Sequence, residues 1–457
     1  MSDYTFNLVP RDVPPVATKH RRIATKMPVP ESLPVFEEIR RYESSNVREQ
    51  LPVVWDRAQG YQVFDAWGNI WIDFTSTIFV TNAGHGHPHI TEAVKSQADR
   101  LLHSYCYPTE IRAQFLKKLV HFVPPYLEKA SLFSSGTEAS ERAIKLARIY
   151  GKTFRSGRTL IVGGQGNYHG KTMGAQLAGG QDDGKHWIGY RDPAMAQIPF
   201  PYPWVMEKTE KSGAALFYEH LDQLKDAGHD PTQAAAFIVE SFQGWAAVFY
   251  PKDYIQEMRR FSAANKTLLI VDEIQAGFGR TGKLFAYEYY DVEPDLVICG
   301  KAISGSLPLS AVLGRGYLID LDPTYTSTHG GHPLACAAGL ANIEVFEREN
   351  LVAEAKRKEA IFRTELARWK ARFPRRVGRI LGHGMLFGVF LMKPGSEELD
   401  VDFVDRVIER ALYKGVFSIR TGRGTIKLGP PLNIPDDALV EGLRVYEEAI
   451  AELEAEG

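Results

Sequence analysis

Cysteine is scarce in this chain. Three in 457 residues (Cys106, Cys299 and Cys336) are too few and too scattered for a disulfide framework or a metal cluster, so a reducing, cytoplasmic setting is expected. No apolar run approaches the roughly 20 residues that cross a bilayer. The opening MSDYTFNLVPRDVPPVATKHRR has no apolar core of the secretory kind. Formal net charge is −2, which leaves no broad field for nucleic acid or an anionic membrane. Internal repeats and low-complexity tracts are missing too. What is present is ordinary for a soluble globular protein: 44% hydrophobic and 24% charged residues, in a chain long enough for more than one domain.

Residues 1 to 50 are rich in Pro, Arg and Lys and read as an arm with a short amphipathic stretch. GYQVFDAWGNIWIDF alternates around a WGN turn and predicts a hairpin. From about residue 130 short apolar runs follow one another: TLIVGG (159–164), AAFIVES (235–241), TLLIVDE (267–273), LVICGK (296–301) and LSAVLG (309–314). Helical patterns separate several of them; in TEASERAIKLARIYG, Ala143, Ala147 and Tyr150 share a face. Continuous apolar strands alternating with helices predict an α/β domain with a mostly parallel sheet covered on both sides. Beyond about 335 the chain reads as helical, then returns to strands near RILGHGMLFGVFL and GTIKLGPPLNI. The expected division is a segment 1–75 belonging to a small α+β domain, a large domain over 76–335, and the rest of the small domain over 336–457.

Ligands of such sheets bind beyond the carboxyl ends of the strands. Asp272 ends one predicted strand and Lys301 follows another, so both face one crevice. FSSGTEASERAIKLAR puts Ser135, Gly136 and Thr137 at a helix start, with Ser135 and Glu138 at capping-box spacing. Free N–H groups, hydroxyls and the helix dipole make a phosphate cradle there, although a plain N-cap accounts for the same residues. GNYHGKT sets Tyr168 and His169 between glycines, either to stack on a planar ligand or as a loop with one packed aromatic. Asp272 suits a protonated ring nitrogen, or equally a helix cap or a salt bridge. Glu273 points the other way, because neighbouring strand residues alternate faces. A desolvated Lys301 has a lowered pKa and an amine free for Schiff-base chemistry; a lone lysine after a strand is otherwise a solvated end.

Taken in order, the landmarks DAWGNIWIDF, NAGHGHP, SSGTEASERAIKLAR, YHGKT, VDEIQAGFGRTG, PDLVICGKAISGSLPLSAV and THGGHPLACAAGLANI resemble the class III aminotransferases over nearly the whole length. These are pyridoxal-phosphate enzymes of fold type I. The resemblance implies that Lys301 holds pyridoxal 5'-phosphate as a Schiff base and moves the proton of the 1,3-transfer. It implies that Asp272 keeps the ring nitrogen charged, so that the ring accepts electrons. Tyr168 would stack on the ring, and Gln275 would lie near its phenolic oxygen. Ser135, Gly136 and Thr137 would hold the phosphate, and His169, Glu240 and Ile274 would complete the shell. Thr328 matches a residue that family members lend to the neighbouring subunit's phosphate, which implies a homodimer, or a dimer of dimers, with shared active sites. Pyridoxamine 5'-phosphate would carry the nitrogen between two ping-pong half-reactions.

The chain departs from the family at the substrate. Members acting on glutamate and a terminal amine carry EPVQGEGG, where this chain has ESFQGWAA (240–247). Trp245 replaces the acid, Lys427 the arginine it pairs with, and Lys171 a second carboxylate-binding arginine. Lysine is a point charge without arginine's bidentate fork. With Ile78, Phe79 and Tyr168, the indole suggests a pocket for an apolar or sugar-like face, unless Trp245 simply packs. Arg420 and Arg423 lie in SIRTGRGT; the first matches a mobile arginine of amine-type relatives, and both also suit a solvated loop. The expected activity is transfer of an amino group from an amine or amino acid to a ketone or aldehyde, of ω-amine, amino-acid or amino-sugar type. The rival on the same scaffold is an amino-acid racemase or epimerase, or an aminomutase.

Overall fold

A computed structural model describes residues 5–44 and 51–456. Of the expected N-terminal arm, residues 1–4 and 45–50 lie outside the described residues; within it, Leu33–Tyr42 is a helix.

The apolar runs of the middle of the chain form one sheet. Its strands are β1 (Lys129–Phe133), β2 (Leu160–Gly164), β3 (Met195–Ile198), β4 (Ala234–Glu240), β5 (Leu268–Asp272), β6 (Leu296–Cys299) and β7 (Ser310–Gly314). They lie in the order β1-β7-β6-β5-β4-β2-β3. β7 is antiparallel to both neighbours, and the five strands from β6 to β3 are parallel. Every residue of β2, β4, β5, β6 and β7 is buried, as strands covered on both faces must be. Helix α1 (Gly136–Phe154) lays Ala139, Ala143, Leu146 and Ala147 against Ile161, Ile238, Ile270 and Ile298, and Tyr150 packs beside them.

By its contacts the chain divides into two compact units, Pro88–Val352 and the remainder at both ends. The boundaries fall at 87/88 and 352/353, later than the expected 75/76 and 335/336. The C-terminal shift has a physical reason. Helix Pro333–Arg348 packs on helices Pro88–Ala98 and Glu110–Phe122, which ties it to the sheet unit.

In the unit built from the chain ends, Gln62–Phe64 and Ile70–Asp73 form the expected hairpin. Val377–His383, Leu386–Leu391, Ile426–Leu428 and Ile419–Arg420 make a four-stranded antiparallel sheet. Residues Ser76, Thr77, Ile78 and Phe79 run left-handed, with φ of 46°, 52°, 60° and 68°. Each such residue costs about 1–2 kcal/mol in an L-chain. The turn is held from outside: the Ser76 hydroxyl donates to the Gly429 carbonyl at 2.7 Å, and Phe79 is fully buried.

Candidate active site

Parallel strands β4 and β5 end side by side, with Glu240 and Asp272 in register. Both carboxylates are buried, so each needs donors. Asp272 accepts the Ile274 N–H at 2.9 Å, and its other oxygen lies 2.8 Å from His169 Nδ1. Glu240 accepts the Tyr168 N–H at 2.8 Å and, more weakly, the Gly244 N–H at 3.4 Å. Glu273 turns the other way, as strand alternation requires. It caps the turn at 286–287 through the N–H groups of Ala286 and Tyr287 and accepts the Ser241 hydroxyl. His169 therefore braces Asp272, a pairing the sequence reading did not make. Its Nε2 is buried without a hydrogen-bond partner. His169 lies in the loop that follows β2, and only the folded loop brings it to Asp272.

The start of α1 shows the N-cap of its two expected readings. Ser135 is the N-cap, with a complete capping box to Glu138, whose carboxylate takes the Ser134 and Ser135 N–H groups at 3.1 and 2.9 Å. Gly136 and Thr137 open the positive end of a 19-residue helix, where N–H groups of the first turn have no intrahelical acceptor. The Thr137 hydroxyl pairs with that of Thr172 at 2.7 Å. Ile274 ties this cradle to the lysine. A Cβ on Gly136 would come 2.8 Å from its Cδ1, and one on Gly300 would come 3.2 Å from its Cγ2. Glycine at both positions lets Ile274 close the gap between cradle and strand end.

Lys301 follows β6 in the left-handed region, φ 47°. Burial holds its amine below the ordinary lysine value, although the charges of Asp272 and Glu240 pull the other way. Tyr168 stays half exposed beside the acids, its hydroxyl pushed up by burial and then by Glu240 and Asp272. Gln275 lies against Gly244, its Oε1 2.6 Å from where a Cβ there would be. Thr328 is exposed, and its carbonyl lies 3.0 Å from His103 Nε2.

Among the substrate candidates of the sheet unit, Trp245 is half-buried with its indole over Gly166, and Lys171 is exposed. The others belong to the second unit. Ile78 is 41% exposed on the left-handed turn, while Lys427 is buried with its amine 5.4 Å from the Phe79 ring centre. Arg420, read from the sequence as able to swing, rests on buried Asp405 with Nε 2.8 Å from Oδ1. Arg423 is half-buried in the adjoining turn.

Known proteins match this arrangement. The family model for aminotransferase class-III covers residues 43–450. An acetylornithine aminotransferase of Methanosarcina mazei is 34% identical over 87% of this chain and 92% of its own. An isoleucine 2-epimerase of Lentilactobacillus buchneri is 31% identical over 92% and 94%. The ornithine aminotransferase of Toxoplasma gondii, solved with partial occupancy of PLP at its active site, superposes with a TM-score of 0.80 at 29% identity, covering 92% of this chain and 95% of that one. The chain belongs to the class III aminotransferases, enzymes of fold type I that work with pyridoxal phosphate. Its residues fit that cofactor: the first-turn N–H groups of a helix for phosphate, a buried carboxylate for a ring nitrogen, and a desolvated lysine for an aldehyde. No described helix is long and apolar enough to cross a membrane.

Proposed function

We propose that the enzyme moves an amino group from an amine or amino-acid donor to a ketone or aldehyde acceptor through one pocket used in turn, with Lys301 as its catalytic lysine. What supports this reading is that Ile274 lies against the helix start at Gly136 and against Gly300, and donates its N–H to buried Asp272, whose charge, with that of Glu240, acts on the desolvated Lys301 amine. Pyridoxal phosphate, when bound, supplies the electron sink for the substrate's Cα carbanion. Gly136 and Thr137 would hold its phosphate through backbone N–H groups, with Ser135 fixing the turn. Asp272, itself held by His169 and the Ile274 N–H, would keep the ring nitrogen protonated. Tyr168 would lie against the ring and Gln275 near its phenolic oxygen. Lys301 would be the residue that anchors the cofactor and the base that moves the Cα proton. Its lowered pKa keeps the amine a base.

For substrate contacts we assign Trp245 and Lys171 in the sheet unit and, as a separate group, Ile78, Phe79, Lys427, Arg420 and Arg423 in the unit of the chain ends. Indole in place of an acid favours a substrate with an apolar or sugar-like face, such as an ω-amine or an amino sugar. The exposed Leu101, Leu102, Tyr105 and Tyr107, beside an exposed Thr328, support a homodimer in which Thr328 serves the neighbouring site. Three unpaired cysteines suit a cytoplasmic setting.

The test mixes holoenzyme with single donors (L-glutamate, L-alanine, 4-aminobutyrate, an aryl-alkylamine, an amino sugar) without an acceptor. The visible absorbance of the bound cofactor is expected to bleach with a true donor and to return on adding a keto acid. Lys301→Ala should lose both responses. The epimerase relative favours a second reading. It would take over if an amino acid lost its optical rotation while no donor bleached the cofactor.

A further inference from the structure

Two carboxylates in register on neighbouring parallel strands, both nearly sealed from water, form an arrangement in which one charge opposes the other. The donors around them are unequal. Asp272 has a ring nitrogen and a backbone N–H at 2.8 and 2.9 Å, whereas Glu240 has one good N–H at 2.8 Å and one long one at 3.4 Å. Consecutive residues divide the work: the Tyr168 backbone serves Glu240 and the His169 ring serves Asp272. We propose that Glu240 is a positioning residue that carries a proton beside Asp272, so that one carboxylate charge rather than two faces the cofactor's ring nitrogen. This rests on Asp272 having the cofactor role assigned above.

Burial and the charge of Asp272 favour this assignment, and they outweigh His169 and the Tyr168 and Gly244 N–H groups, which pull the other way. Asp272, from β5, repels a second charge. Tyr168, from the loop after β2, and Tyr250, after Val248–Phe249, are both held neutral by burial. His169, on the same loop, spends its ring nitrogen on Asp272. Lys301, after β6, has its amine held below the ordinary lysine value by burial, against the pull of Asp272 and Glu240. Burial, and then the charge of Asp272, pushes the Glu240 carboxyl up to about 7. The folded protein therefore keeps a proton that the unfolded chain has released. Stability contributed below the ordinary carboxyl value of 4.5 is lost as pH rises towards 7.

The experiment titrates the visible absorbance of the holoenzyme with pH and follows its melting temperature over the same range. Wild type is expected to titrate in two steps, one belonging to the lysine–cofactor link and one to Glu240. Glu240→Gln, a permanent likeness of the protonated acid, should show one step. Its melting temperature should gain on wild type as pH rises and not at acid pH. Should Glu240→Gln not fold, Glu240→Asp keeps the second step with a moved midpoint. A single step in wild type, or two unchanged steps in Glu240→Gln, overturns the proposal. If the Glu240 step is found but no amine bleaches the cofactor, the transfer reading fails and the assignment of Glu240 stands.

Discussion

Asp272 shows why a residue's type is easier to foresee than its partners. An acid closing a buried strand needs donors, and its burial at the strand end was legible. The partner His169 comes from a loop 103 positions away, and periodicity carries no record of it. Glu240 was legible only as a shell member, since its pairing with Asp272 depends on strand register. Removing the His169 ring should cost Asp272 one charged hydrogen bond, worth about 1–3 kcal/mol. His169→Ala is thus expected to lower kcat/KM by roughly tenfold to a hundredfold and to loosen the cofactor, measured by steady-state kinetics and by cofactor retention on dialysis. His220 allows a second prediction. It is 4% exposed, its Nδ1 lies 2.9 Å from the Tyr254 hydroxyl, and burial pushes it from 6.5 down to about 4. The unfolded chain binds its proton first as pH falls, so stability of about 3 kcal/mol is lost between the two values. His220→Gln should flatten that acid limb of the melting curve.

Elements were legible where burial was complete. β2, β4, β5, β6 and β7 are unbroken apolar runs, and each forms within a residue or two of where the pattern puts it. β1 and β3 escaped because KASLF starts on an exposed lysine, and MAQI, at the sheet's edge, alternates buried and half-buried residues. The left-handed turn was invisible, because Ser-Thr-Ile-Phe holds no glycine to mark positive φ. Thr77 is the position to test. Thr77→Gly removes the steric penalty at φ 52° and is expected to stabilise the protein by about 1 kcal/mol, read by denaturant midpoint. Ser135→Ala acts in the opposite sense, with the loss of a cap costing about 1 kcal/mol.

For the whole molecule, the two-part division was legible from the change of rhythm along the chain. The exact seams were not, since a helix such as Pro333–Arg348 is assigned to a unit only by what it packs against. Assembly belongs to this scale as well. Tyr107 is 73% exposed and Leu102 59%, a cost in water that a second copy would remove. If the proposed homodimer forms through this face and Thr328 serves the neighbouring site, Leu102→Asp with Tyr107→Asp should give a monomer on sedimentation and abolish turnover. Retained dimer with full activity would place the interface elsewhere.

The turn at 76–79 has a consequence at a distance. The left-handed region is an island, and no gradual path of small rotations links it to the other allowed conformations. Four consecutive residues on that island are fixed by contacts outside the turn, the Ser76 hydroxyl on the Gly429 carbonyl and the Phe79 ring beside Gly429. A methyl group added at Gly429 would fall 2.0 Å from the Phe79 ring, so one small change in a distant segment of the chain would press directly on the turn that carries Ile78.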